Sequence, residues 1–210
     1  ELMRSYQLHV NAAKTANGLM HQNNILYNSM KDKILNPETV EKATFWYSKA
    51  TIVKKCSDDI FNYIDSLKYA LLKEAGDDLP ESIVTNEEKR KAVKSFFIEK
   101  ENSLQLYKQM TRYVANALDT DPEIKKEFYY RLPLLGMHLN DETTDKKLFT
   151  EIYFTDITMA AVLAVLSNIQ SAIRYDENFV ATYCHNRIGL PGGCGFGNKP
   201  RVIASVRSSY

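Results

Sequence analysis

From the start of the chain, inward-type positions return at alternating steps of four and three residues: Leu2, Tyr6, His9, Ala13, Ala16, Met20, Asn23, Tyr27, Met30 and Ile34. This spacing keeps one side chain per turn on one face, and it predicts a single long helix with a thin, partly polar seam. Asn36 stands before Pro37 and Glu38, which reads as an N-cap followed by proline at the first helical position. A second helix is expected from there. Its apolar line is Trp46, Ala50, Val53, Ile60, Ile64, Leu67 and Leu71, and it stops at Gly76, Asp77 and Asp78. So short a connection between two long helices predicts an antiparallel hairpin.

The middle of the chain is less regular. "DDLPESIVTNEEKR" (77–90) reads as a loop, and 91–118 carries Phe97, Leu104, Leu106, Tyr107, Met110, Tyr113, Val114 and Leu118 at helical spacing. Asp121 and Pro122 open a short helix, with a break at Pro133 and Gly136. "FTEIYF" (149–154) has the composition of a strand, but no other strand candidate precedes residue 189, which argues against a sheet. The widest apolar stripe follows: Met159, Val162, Leu163, Leu166, Ile169, Ile173 and Val180, the pattern of a helix in the heart of a bundle. The expectation is an all-α, long, antiparallel, up-down bundle over 1–188, with Trp46, Ile60, Ile64, Leu166, Ile169 and Ile173 in its core.

"GLPGGCGFGNKP" (189–200) packs five glycines and two prolines into twelve residues of a chain that has eight glycines. A phosphate loop needs a strand before it and a helix after it, whereas this stretch follows a helix and precedes the strand-like "KPRVIASV". A zinc knuckle needs four ligands, and only Cys184, His185 and Cys194 lie near. The stretch suits a joint between a helix and a strand, and it is the family resemblance given below that implies a linker and the start of a truncated β domain over 189–210.

Charge and chemistry narrow the functional classes. Across 210 residues, 27 Lys+Arg nearly cancel 26 Asp+Glu, and the best basic run, "EEKRKAVK" (87–94), reads as a solvated helix face. Nucleic-acid binding has little electrostatic support. The longest uncharged apolar stretch, "MAAVLAVL" (159–166), is far short of a membrane span. His9, His21, His138 and His185 form no ligand motif, Asp58–Asp59 and Asp77–Asp78 are adjacent and point to different faces, and no serine sits in a nucleophile elbow. No enzyme, metal, cofactor or small-molecule substrate is expected. Trp46, the single tryptophan, is either a core residue on its helix's apolar line or an interface anchor, and the apolar line favours the core. The chain starts inside a helical pattern and ends without a terminating signal, so both ends read as cuts in a longer protein.

Two blocks resemble the GldM (PorM) family of gliding-motility and type IX secretion components. The first is "QNNILYNSMKDKILNPETVEKATFWYSKATIVKKCSDDIFNYIDSLK", with Asn23, Leu26, Tyr27, Pro37, Trp46, Tyr47, Lys49, Ala50, Val53, Lys54, Lys55, Ser57, Asp58, Tyr63, Ile64, Leu67 and Lys68 on the family pattern. The second is "FTDITMAAVLAVLSNIQSAIRYDE", where Phe154, Ala161, Leu166, Ser167, Ile169, Gln170, Arg174 and Glu177 fall at family positions. Thr158 stands where the family usually has proline, and Ala172 where it has aspartate; residues 78–148 match weakly.

The resemblance implies a periplasmic location, anchored to the inner membrane by a preceding helix, and a homodimeric shaft. It also implies pairing with a GldL-like membrane protein that harvests the proton gradient, and a reach toward outer-membrane-associated ring components. On that view the chain transmits force and catalyses nothing. The reading kept beside it is a periplasmic helical-bundle sensor or ligand-binding domain. An oxidising periplasm would also allow Cys184 and Cys194 to form a disulfide across the glycine-rich turn; the competing reading is a buried thiol at Cys184 and a free one at Cys194.

Overall fold

The apolar line of the second helix is the spine of the molecule. The computed structural model describes residues 2–76, 87–134 and 144–189. In it, Ala43, Trp46, Ala50, Val53, Ser57, Ile60, Ile64, Leu67 and Leu71 are all buried along one face of α2 (Val40–Glu74). The helix stops where Gly76 takes a left-handed φ of 71°, a conformation that glycine adopts without a Cβ penalty.

Before it runs α1 (Leu2–Ile34), 33 residues long and thus about 50 Å at ~1.5 Å per residue. Its inner line is Ala12, Ala16, Leu19, Asn23, Tyr27 and Met30. The expected alternation put Ala13 and Met20 on this line. Ala13 is instead half-buried and Met20 is 37% exposed. The cause is helical period: five steps across 18 residues from Ala12 to Met30 average 3.6, the pitch of an undistorted helix, whereas a strict four-three alternation averages 3.5 and drifts off the face.

The second helix also opens three residues later than the sequence suggested, at Val40 with Thr39 as N-cap residue. Pro37, Glu38 and Thr39 form a turn instead. The Asn36 side chain accepts from the Glu38 amide at 2.9 Å, its carbonyl accepts from the amides of Thr39 and Val40, and the Thr39 hydroxyl donates to the Lys33 carbonyl at 2.6 Å. Asn36 caps as expected, but what it caps is the turn.

Past the hairpin, the stretch read as one helix over 91–118 is broken. It divides into α3 (Glu87–Lys94), a π-helical turn (Ser95–Glu99) and α4 (Asn102–Leu118), so residues 87–90, taken as loop, are helical. The π turn is closed by the Lys100 amide donating to the Ser95 carbonyl, and it turns both Phe96 and Phe97 into the core. Glu101 then adopts a left-handed φ of 56°. Carbonyls freed at the break are met by side chains, since the Asn102 amide donates to Phe96 and the Ser103 hydroxyl to Phe97. α5 (Pro122–Phe128) opens as expected, with the Asp121 carboxylate accepting from the Glu123 amide at 2.8 Å. "FTEIYF" is helical, the end of α6 (Thr144–Phe154). Finally α7 (Met159–Ile188) is capped by the Thr158 hydroxyl, which accepts from the Ala161 amide. Thr158 thus gives this helix a side-chain cap that proline could not supply.

Contacts between helices fix the topology. α2 runs antiparallel to α7, because Ser57 meets Glu177 while Lys68, further along α2, meets Ser167. α4 runs back along α2, from Lys100 beside Glu74 to Thr120 beside Lys49. α6 returns along α4, with Phe154 stacked on Phe97 and Phe149 against Tyr107. The chain therefore makes alternating up and down passes, and the first and last of them, α1 and α7, lie side by side and parallel: His9 meets Ser167, Asn23 meets Asn178, and Ser29 meets His185. One apolar core joins the helices, and Trp46, Ile60, Ile64, Leu166, Ile169 and Ile173 all belong to it. The linker and strand expected beyond residue 189 lie outside the described residues.

Candidate functional site

Helix α7 is buried on several sides, and its polar residues organise the bundle's interior. Among its buried side chains are Ser167, Gln170, Ser171, Arg174, Asp176 and Glu177. Buried polar groups persist only when they are hydrogen-bonded, and most of these are.

The central group is an ion-pair layer between α7 and α2. Arg174 Nη1 donates to Glu177 Oε2 at 2.6 Å, to Asp58 Oδ1 at 2.7 Å and to Ser57 Oγ at 3.1 Å. Ser57 in turn donates to Glu177 at 2.7 Å. The guanidinium lies over the Phe61 ring at 4.5 Å, and both Arg174 and Glu177 are almost fully buried. Burial opposes the charge on Arg174, but Glu177 and Asp58 outweigh it and hold the arginine above its ordinary range. Burial likewise pushes Asp58 up, while Lys54 and Arg174 pull it below the usual carboxylate range. α1 joins this layer through Asn23, which donates to the Arg174 carbonyl and accepts from Asn178.

One turn of contacts away, toward the start of α1, Ser167 is held between Lys68 Nζ at 2.8 Å and His9 Nδ1 at 2.7 Å. Lys68 also donates to Gln170, whose amide donates to Asp65. A hydroxyl between an amine and an imidazole has the makings of an activated nucleophile. Here Ser167 is completely buried, and Lys68, brought down to about 8 by burial against the pull of Asp65, still holds its proton near neutrality. The group is a structural tie between three helices.

Asp176 is different. It is fully buried; among the described residues its Oδ1 receives a long bond of 3.4 Å from the Leu134 amide and its Oδ2 has no partner. Burial raises this carboxyl well above its ordinary value, against a small opposing pull from the Leu134 amide.

At the other end of the bundle, Trp46 meets Phe45 and Tyr183 edge-on, and Tyr183 meets Phe128 likewise. Arg187 lies over both Trp46 and Tyr183 and pairs with Glu123. Trp46 is thus a core residue, 9% exposed. Cys184 is fully buried and has no disulfide partner among the described residues; as a thiol it is pushed up to about 12 by burial and by Asp121. Its suggested partner, Cys194, lies outside the described residues, as does His138. Cys56 is half-buried and free.

None of the interior polar layer was read from sequence as a site, because its members lie far apart in the chain: 116 residues separate Asp58 from Arg174, and 158 separate His9 from Ser167. The one available signal was polar residues, Ser57 on α2 and Gln170, Arg174 and Glu177 on α7, set within apolar helical faces. Among the described residues there is no group of three or more His, Cys, Asp or Glu that could hold a metal ion, and no helix long and apolar enough to cross a membrane.

The polar interior ties the long helices of one bundle together, with Arg174, Glu177 and Ser167 of α7 bonded to Asp58, Ser57 and Lys68 of α2 and to His9 of α1. The GldM N-terminal domain family matches residues 6–186. The chain belongs to the GldM family, as its N-terminal domain, and so to the structural, motor-associated components of gliding motility and type IX secretion. No curated protein matches the chain.

Proposed function

We propose that this domain is the membrane-proximal part of a periplasmic shaft, held to the inner membrane by a helix that precedes it and dimeric in the full-length protein. Its task is to carry force from a proton-driven, GldL-like inner-membrane motor toward outer-membrane-associated ring components. The observation that supports this reading is the Arg174–Glu177–Asp58–Ser57 layer, which ties α2 to α7 in mid-bundle and, through Asn23, ties both to α1. Buried charges are poor sources of net stability, yet breaking one such pair is costly, so the layer favours one register of the helices over all others. A part that transmits displacement needs a fixed register more than it needs a pocket. The interior space between α2, α4 and α7 is taken up by side chains such as Phe97, Leu106, Tyr107 and Met110, which favours the shaft over the sensor.

The test uses the full-length protein in its native host. Photo-crosslinking residues placed on the exposed faces of α1 and α2 should capture a second copy and motor components, and removal of this domain with the anchor retained should abolish secretion. Wild-type secretion without the domain rejects the reading.

A further inference from the structure

α1 lies along α7 over most of its length, on a buried line in which the small residues Ala12 and Ala16 supply two of the first four positions. Near each end of that line stands a histidine against a lysine. His9 on α1 shares the Ser167 hydroxyl with Lys68 of α2. His185 on α7 lies 3.0 Å from Ser29 Oγ and 3.1 Å from Lys33 Nζ, both on α1. Because the lysine is a donor only, the His185 nitrogen facing it is the unprotonated acceptor.

We propose that these two histidine–lysine contacts make the α1–α7 interface a pH-released junction, closed while both imidazoles are neutral and loosened when they take up protons. At His185, protonation turns the acceptor into a donor facing another donor, so the bond to Lys33 is lost and replaced by repulsion. At His9 the second proton brings a cation beside Lys68. Among the described residues, the groups facing His9 are Ser167 and the Leu163 backbone from α7, Lys68 from α2, which is bonded to Gln170 and has Asp65 at 3.9 Å, and Tyr6 from its own helix. Those facing His185 are Ser29 and Lys33 from α1 and Asn186 beside it. Asp65, the carboxylate beside Lys68, is already bonded to Gln170.

Electrostatics agrees in direction with the geometry. Burial first, and then Lys68, hold His9 below its ordinary 6.5, with the Leu163 carbonyl pulling the other way; burial and then Lys33 do the same to His185. A lowered base contributes stability that is complete above 6.5 and is lost as pH falls below it, because the separated chain accepts the proton first. The effect is centred on α1: both histidine contacts cross the α1–α7 interface, while α2 is also held to α7 by the Arg174–Asp58 and Ser57–Glu177 bonds, which contain no histidine.

Two measurements on the 210-residue chain decide the matter. Titration by NMR should place His9 and His185 below 6.5; Lys68→Met should raise His9 alone, and Lys33→Ala should raise His185 alone. Amide hydrogen exchange, corrected for its intrinsic pH dependence, should show protection in α1 falling relative to α2 between about pH 7.5 and pH 5, by about tenfold for each pKa unit of displacement. The double variant His9→Gln, His185→Gln should abolish that difference. Since Lys33 is at the surface, its variant keeps the test alive if Lys68→Met does not fold. Histidines that titrate at 6.5 whatever the lysines, or α1 and α2 losing protection together, overturn the proposal.

Discussion

Arg174 and Glu177 show how much can hang on one side chain. Removing the guanidinium would leave Glu177, 1% exposed, as a buried charge met only by the neutral hydroxyls of Ser57 and Tyr27 among the described residues. Arg174→Ala should therefore cost about 3–5 kcal/mol in urea unfolding, and a paired apolar replacement, Arg174→Met with Glu177→Leu, should recover most of that loss. If the single variant is as stable as the parent, the layer is not closed in solution. Trp46→Ala should cost a similar ~3–5 kcal/mol by emptying a large aromatic site; an unchanged melting temperature would return Trp46 to the surface. Asp176 makes the opposite case. Its carboxyl is raised by burial, so it favours the fold below the ordinary carboxylate value and opposes it increasingly as pH rises through the folded pKa. Asp176→Asn should melt higher than the parent near neutral pH, by roughly 1–3 kcal/mol, and the gain should vanish towards pH 4. A gain independent of pH would mean that the carboxyl is hydrated.

At the scale of the helix, α1 is the element with most room for improvement. Gly18 lies mid-helix, and a Cβ added there would meet nothing within 4 Å. Gly18→Ala should stabilise the chain by about 0.5–1 kcal/mol, through helix propensity and the unfolded state alone, and a calorimetric melting point that does not rise would argue that α1 is already frayed there. Helices were also the most legible level of the sequence. The apolar positions of α2 from Trp46 to Leu71 could be read because they face one dense core, so apolar spacing and burial coincide; Ala43 and the polar Ser57, also on the buried line, were not. α1 was read one residue off at Leu19 because its face is thin and half polar, leaving the period to be assumed. The π turn was hidden for another reason: Phe96 and Phe97 fit a helical pattern, and what breaks the helix, the left-handed Glu101 and the hydroxyl of Ser103 returning to Phe97, is not a residue type that signals a break.

For the whole molecule, the sequence conveyed the class and the first hairpin but not the polar interior, whose partners come together only after every pass is in place. Parallel packing of α1 and α7 was likewise out of reach, since it follows from the number of passes and not from any local motif. It has a mechanical consequence. Because the bundle is entered at one end and left at the other, tension applied through Arg4 and Asn186 slides α1 and α7 past one another along their length, and the ties at His9, Asn23 and Ser29 are loaded together. Tension applied through Arg4 and Lys73, which sit at the same end on the antiparallel pair α1 and α2, instead peels contacts apart one after another. Shear spreads a load that unzipping concentrates, so optical-tweezer handles at the first pair of positions should rupture the domain at a clearly higher force than handles at the second. A domain wired this way is strongest along the axis that joins the start of α1 to the end of α7.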